Sequence, residues 1–300
     1  MRNKFSETVF KNIKKNKNIF VVAADISPSG AMAKFQKSNN NFVNVGVAEQ
    51  NMIGVCAGLA MSGKTVFAYT IATFSIYRPF EMVRDDICYQ NLPITVVGMG
   101  AGTIYANLGG THTAIEDISI ARSIPNMTVI SPCDPLELIS AVNYCCTKNT
   151  SPTYLRIGKS GEKDITKNAV EKWKFGKIRK IFSGKNTCIL SHGPISQLAY
   201  DAIKIKNKNT GLYSCSTLKP FDEDGIKKIF KKYKKIITLE DHSIIGGLSD
   251  IVTNLAFKNG YKGKIITNSL KDKFIHTFSN QNDLLEAHGI SLKNLIRQIW

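Results

Sequence analysis

The chain has 300 residues, 43% of them hydrophobic, with 40 Lys+Arg against 23 Asp+Glu and a formal net charge of +17. That length and apolar content predict two domains with buried cores. No apolar run approaches the roughly 20 residues of a membrane helix. The start, Met1-Arg2-Asn3-Lys4, leads into an amphipathic helix pattern, which is not the apolar core of a signal peptide. The reading is a soluble cytoplasmic chain with no membrane partner.

The predicted elements alternate along the chain. Residues 19–24, 42–45, 65–69, 94–99, 127–130 and 153–157 read as strands. Segments near 5–16, 48–62, 74–90, 114–123 and 134–146 read as helices, the last opened by Asp134-Pro135. This alternation predicts an α/β fold with a mostly parallel sheet covered by helices on both faces. Residues 161–180 are polar, glycine-containing and aperiodic, and read as a linker after a first domain over 1–160. A second series follows over 181–300, with strands at 188–191, 211–215 and 236–240. Helices are expected at 195–205, 224–234 and from about 247. It predicts a second, smaller α/β domain.

The positive charge raises the question of nucleic acid, and its distribution answers it. Most of the excess lies after residue 160, as in the run Lys227 to Lys235. There Ile226, Ile229, Phe230 and Tyr233 recur at helical spacing, so the lysines read as the solvated face of an ordinary helix. No helix-turn-helix, zinc-finger or RNA-binding signature accompanies them, and no nucleic-acid partner is expected. The seven cysteines contain no Cys-x-x-Cys pair, which argues against zinc ribbons and redox motifs. They read as buried, reduced thiols.

Three stretches stand out from this background. In Phe42-Val-Asn-Val-Gly-Val-Ala-Glu-Gln-Asn-Met52 the pattern changes from strand to helix, and Glu49 falls in the first helical turn. A carboxylate there suits the helix dipole, so capping alone would account for it. In Thr73-Phe-Ser-Ile-Tyr-Arg-Pro-Phe80 the aromatic residues Phe74, Tyr77 and Phe80 follow a three-residue spacing along one helical stripe, which by itself fits core packing. In Asn107-Leu-Gly-Gly-Thr-His112 two glycines free the backbone to carry His112 toward a ligand. Histidine is suited to moving a proton near neutral pH.

The order and spacing of these motifs resembles the pyrimidine-binding half of transketolases and of the related deoxyxylulose-phosphate synthases. Lys4-Phe-Ser-Glu-Thr-Val9, Asp25-Ile-Ser-Pro-Ser29 and Leu239-Glu-Asp-His-Ser-Ile-Ile-Gly-Gly-Leu248 extend the resemblance over nearly the whole chain. The resemblance implies thiamine diphosphate as cofactor. Glu49 would hydrogen-bond the aminopyrimidine, a task that suits a desolvated carboxyl whose neutral form is accessible. Phe74, Tyr77 and Phe80 would surround the ring by offset stacking. His112 would handle a substrate hydroxyl or carbonyl oxygen, Arg156 would grip a substrate phosphate, and Ser29 would add a weaker phosphate contact. Arg2 is close to a further such position but out of register. Arg78 and Arg84 take no role.

The sequence departs from the family at two places. Leu108 stands where an Asp usually contacts the hydroxyl beside the reacting carbon, and Gly100 stands where a phosphate-contacting His is common. A leucine cannot reward a hydroxyl, which favours a deoxy sugar, a pyruvate-like donor or an unusual acceptor. The family's Gly-Asp-Gly for magnesium and diphosphate is absent; Glu223-Asp224-Gly225 lacks its strand context. The resemblance therefore implies one subunit of a split enzyme, with no metal ligands of its own. A partner N-terminal subunit would bring Mg2+ and the diphosphate site in an α2β2 assembly. The expected reaction is transfer of a two-carbon ketol unit from an anionic ketose to an aldehyde. A 2-oxoacid dehydrogenase β-type subunit, a deoxyxylulose-phosphate-synthase-like subunit and a non-catalytic scaffold are the alternatives. His192 and His242 at strand ends of the second domain take no catalytic role, and His276 and His288 read as solvent or packing residues.

Overall fold

The computed structural model describes residues 1–26, 31–38, 41–206, 209–274, 276 and 279–299. Its strands, in chain order, are β1 (Ile19–Ala23), β2 (Phe42–Asn44), β3 (Thr65–Ile71), β4 (Thr95–Met99), β5 (Thr128–Ile130), β6 (Thr153–Ile157), β7 (Arg179–Phe182), β8 (Thr187–Ser191), β9 (Thr210–Ser214), β10 (Thr217–Lys219), β11 (Lys235–Ser243) and β12 (Lys264–Leu270). A seven-stranded sheet has the order β10-β5-β6-β4-β3-β1-β2, and a five-stranded sheet the order β12-β11-β8-β9-β7. Pairing is parallel except at one edge of each sheet, where β10 runs antiparallel to β5 and β7 antiparallel to β9.

Parallel strands need crossovers, and here helices supply them on both faces. The strand period of two sorts the side chains. On β1, Ile19, Val21 and Ala23 pack into one apolar cluster while Val22 packs into another. The second of these clusters also holds Cys188, Leu190, Tyr213, Ile226 and Leu248, so one core is continuous between the two sheets. All seven cysteines are buried and unpaired.

Three elements differ from the sequence reading. The segment expected as one helix over 74–90 is a short helix, Ala72–Ile76, then a turn, Phe80–Met82, and a π-helical stretch, Val83–Tyr89. Pro79 lacks the amide a continuous helix needs and interrupts it. β7 begins at Arg179, inside the stretch read as linker, and β10 leaves the second half to complete the first sheet. Three- and four-residue edge strands carry too little alternation to be seen locally. Among the described residues, no helix is long and apolar enough to cross a membrane.

Candidate active site

Ligands of open α/β sheets meet the carboxyl ends of the strands, and the chemistry-bearing loops gather there. Glu49 follows β2, Phe74 and Arg78 follow β3, and the loop that carries His112 follows β4. After β2, Gly46 turns the chain with φ +75°, a left-handed conformation that costs glycine nothing. Ala48 then opens the helix Glu49–Met61 without a side-chain cap. Glu49 is its first residue and is 3% exposed. A buried carboxylate must be compensated, and Arg78 does this: its Nη1 donates to both carboxylate oxygens at 2.8 Å. The same guanidinium lies 4.5 Å over the Phe74 ring. Arg78 remains 46% exposed, so solvent reaches the pair from its side.

Phe74 joins this group to His112, whose ring meets it edge-on at 5.2 Å between centroids. Tyr105 closes the other side of His112 at 6.1 Å. Thr111 Oγ1 is 2.9 Å from His112 Nδ1. A turn from Gly109 O to His112 N and the paired amides of Gly102 and Ala114 hold the loop in shape.

The remaining expected site residues are placed differently. Tyr77 is tied to Glu116: its hydroxyl donates to Oε2 at 2.8 Å and accepts from the Glu116 amide at 3.0 Å. Its ring packs on Ala72, Ala101 and Ala114. Phe80 is 36% exposed beyond the Pro79 break, off the expected stripe. Ser29 lies outside the described residues. Arg156 is the clear departure. It is 2% exposed, its Nε donates to Asp117 Oδ2 at 2.8 Å and its Nη2 to the Asp241 carbonyl at 2.8 Å. Tyr154 also donates to Asp117 Oδ2. The guanidinium is committed to a buried network between the two sheets and does not present itself to a substrate anion. Lys159, three residues on, lies 4.4 Å over the Tyr105 ring, on the wall that includes His112.

The structure also accounts for Gly100. Its φ is +67°, and a Cβ there would stand 2.2 Å from Tyr105 Cε2. The Tyr105 ring fills the space a histidine would need. Leu108 is 44% exposed, on the one-turn helix Ala106–Leu108 in the loop before His112. Sequence reasoning missed Arg78 and Tyr105. Arg78 stood inside the aromatic motif, but only the turn at Pro79 directs it back toward Glu49.

The two sheets meet through Glu240-Asp241-His242. Asp241 accepts from the Thr103 amide and hydroxyl, and Ser119 N donates to His242 Nε2. His192 Nδ1 lies 3.0 Å from Ser131 Oγ, and Nε2 lies 3.5 Å from Glu240. These histidines are buried joints between domains. Burial pushes the Glu240 carboxyl up, but His192, His242 and the Ser249 amide outweigh it and hold it at about 2. A carboxyl depressed below its ordinary 4.5 stabilises the fold above that pH and loses the contribution as pH falls toward 2. Glu240→Gln is therefore expected to lower stability at neutral pH. In thermal melts the gap to wild type should narrow between pH 5 and pH 3; a gap independent of pH would contradict this assignment.

Residues 1–161 match the transketolase pyrimidine-binding domain, and residues 176–295 match the transketolase C-terminal domain. The chain belongs to the transketolase family. It is 34% identical, over 100% of its length and 95% of the relative's, to a Methanocaldococcus jannaschii protein named "Putative transketolase C-terminal section". It is 29% identical, over 99% of its length and 95% of the relative's, to an apulose-4-phosphate transketolase subunit of Phocaeicola vulgatus. A split-gene transketolase solved as an inactive β4 tetramer superimposes with a TM-score of 0.86 at 28% identity, covering 99% of this chain and 96% of that one. Within the family, the two matched domains are the pyrimidine-binding and C-terminal ones.

Proposed function

We propose that this chain supplies the pyrimidine-binding wall of a thiamine-diphosphate-dependent transketolase whose active site is completed by a second, N-terminal chain. The observation that carries the reading is the buried Glu49 carboxylate facing a planar, nitrogen-rich group stacked on Phe74. The Arg78 guanidinium makes the two contacts an aminopyrimidine would need, an edge on the carboxyl and a face on an aromatic ring. The residues therefore fit the cofactor. When bound, it supplies the nucleophilic carbon that carries a two-carbon ketol unit.

Glu49 would hold the pyrimidine edge by sharing a proton through a carboxyl oxygen, with Phe74 under the ring face. Arg78 must part from Glu49 for this, and its exposed side gives it room. Tyr77 and Phe80 would close the ring's surroundings as the partner docks. His112, with Nδ1 against Thr111, would move a substrate hydroxyl proton through Nε2. The anionic end of a sugar would meet Lys159, with Ser29 as a further contact, because Arg156 is spent on Asp117. Among the described residues no group of three or more His, Cys, Asp or Glu could hold a metal ion, and the sequence has no Gly-Asp-Gly. Mg2+ and the diphosphate site fall to the partner, in an α2β2 arrangement.

The test is reconstitution. This chain alone should show no ketol transfer and bind thiamine diphosphate weakly. Added to an N-terminal transketolase chain that carries Gly-Asp-Gly, it should restore both, measured by co-purification and a coupled assay. Turnover of 2-oxoacids in place of ketoses, or full activity of one chain alone, would reject the reading.

A further inference from the structure

The lysine-rich helix of the second domain does not face only open solvent. The helix Glu223–Lys232 starts at Asp222, whose side chain accepts from the Gly225 amide. Its inner stripe, Ile226, Ile229 and Phe230, is buried as the period requires. One flank, with Lys228 and Lys232, borders a cleft of about 690 Å³. The opposite wall is the connector between domains, with Lys172, Lys174 and Lys177, and the start of β7, with Lys180. Lysines from three separate elements thus line one concavity.

The carboxylates of the cleft are already engaged. Asp222 accepts from Lys177 Nζ and the Ile178 amide at 3.0 Å. Glu171 accepts from the Lys180 amide and ammonium. The Arg179 guanidinium turns away to Glu137 and to main-chain carbonyls. Lys172, Lys174 and Lys228 line the cleft with no carboxylate partner among the described residues, and Lys232 lines it with its Nζ 4.9 Å over the Tyr233 ring. Like charges around a concave site repel each other and focus a positive potential into it. An anion that enters removes that repulsion.

We propose that this cleft binds a small molecule bearing several phosphate charges, of the nucleoside triphosphate class, at a site separate from the Glu49 cleft. Its volume lies in the range that holds such a ligand. Four lysines on flexible stems suit a chain of phosphates, which needs point charges spread along it and no single bidentate clamp. Ile178, half-buried, lines the cleft between the lysines and offers an apolar contact to the rest of the molecule. The site lies on the connector and the second domain, so a ligand there would bridge the two.

The probe is sodium tripolyphosphate, titrated calorimetrically into the full chain in 0.15 M salt, with orthophosphate beside it. One saturable site is expected, at least tenfold tighter for tripolyphosphate. The double variant Lys174→Glu/Lys228→Glu should lose at least tenfold in affinity with an unchanged circular dichroism spectrum. A second double variant, Lys258→Glu/Lys262→Glu, changes net charge equally on residues outside the cleft and should bind as wild type. Equal losses in both variants would mean that overall charge does the binding and would overturn the proposal. So would absence of a saturable site, or preference for single-stranded RNA over tripolyphosphate. None of these readouts involves ketol transfer, so they stand apart from the reconstitution test.

Discussion

Replacing Glu49 by Gln in the reconstituted two-chain enzyme is expected to slow ketol transfer by on the order of 10²–10⁴-fold, while the chains still assemble. The substitution keeps shape and one hydrogen-bond acceptor but removes the group that can hold or release a proton at that oxygen. Glu49 is the first residue of its helix and is 3% exposed, so packing fixes where its carboxyl stands. Folding should be little affected, because the carbonyl of the introduced amide can still accept from Arg78, whose guanidinium is 46% exposed and solvated. The measurement is kcat at saturating cofactor, with assembly followed by size exclusion. Normal turnover by the Gln variant would remove Glu49 from its role.

The second large effect concerns stability. Arg156→Met should destabilise the chain by about 3–5 kcal/mol, because it leaves the Asp117 carboxylate buried without its cation. Asp117 is 0% exposed, and Arg156 and Tyr154 both bond its Oδ2. The loss also frees the Asp241 carbonyl, which Arg156 holds from the first sheet, so the domains should uncouple. Arg156→Lys should not rescue, since one ammonium cannot keep the fixed fork that reaches Asp117 and Asp241 together. Arg156→Met combined with Asp117→Asn should recover part of the loss, as the orphaned charge is gone. Urea unfolding would read all three. If Arg156 instead gripped a substrate phosphate, the Met variant would raise KM and leave the unfolding midpoint in place.

These two residues show what could be read from the chain in one dimension. Glu49 was legible because a local change of pattern, strand to Gly46 to helix, sets it at a junction, and the motifs around it resemble a family that uses such a carboxylate. Arg156 was legible as a residue at the end of β6 and misread in its role. Its partners stand 39 and 85 residues away in sequence, and no local pattern specifies them. Phe74, Tyr77 and Phe80 share a spacing, yet Pro79 breaks the helix and Glu116 claims Tyr77, so the stripe does not survive as one surface. Lys228 and Lys232 have the periodicity of a solvated face; the connector that meets them carries no periodicity at all.

By itself the sequence determined the alternation of strands and helices, the family, and which residue types could carry chemistry, because periodicity, turn residues and motif order are local properties. The tertiary structure alone decided which of those groups meet. It turned Arg78 onto Glu49 and Phe74, closed the Gly100 position with Tyr105, and buried Arg156 against Asp117. The reason is that a charged group's partner is chosen by packing: once burial removes water, the nearest opposite charge must take its place, wherever along the chain it stands.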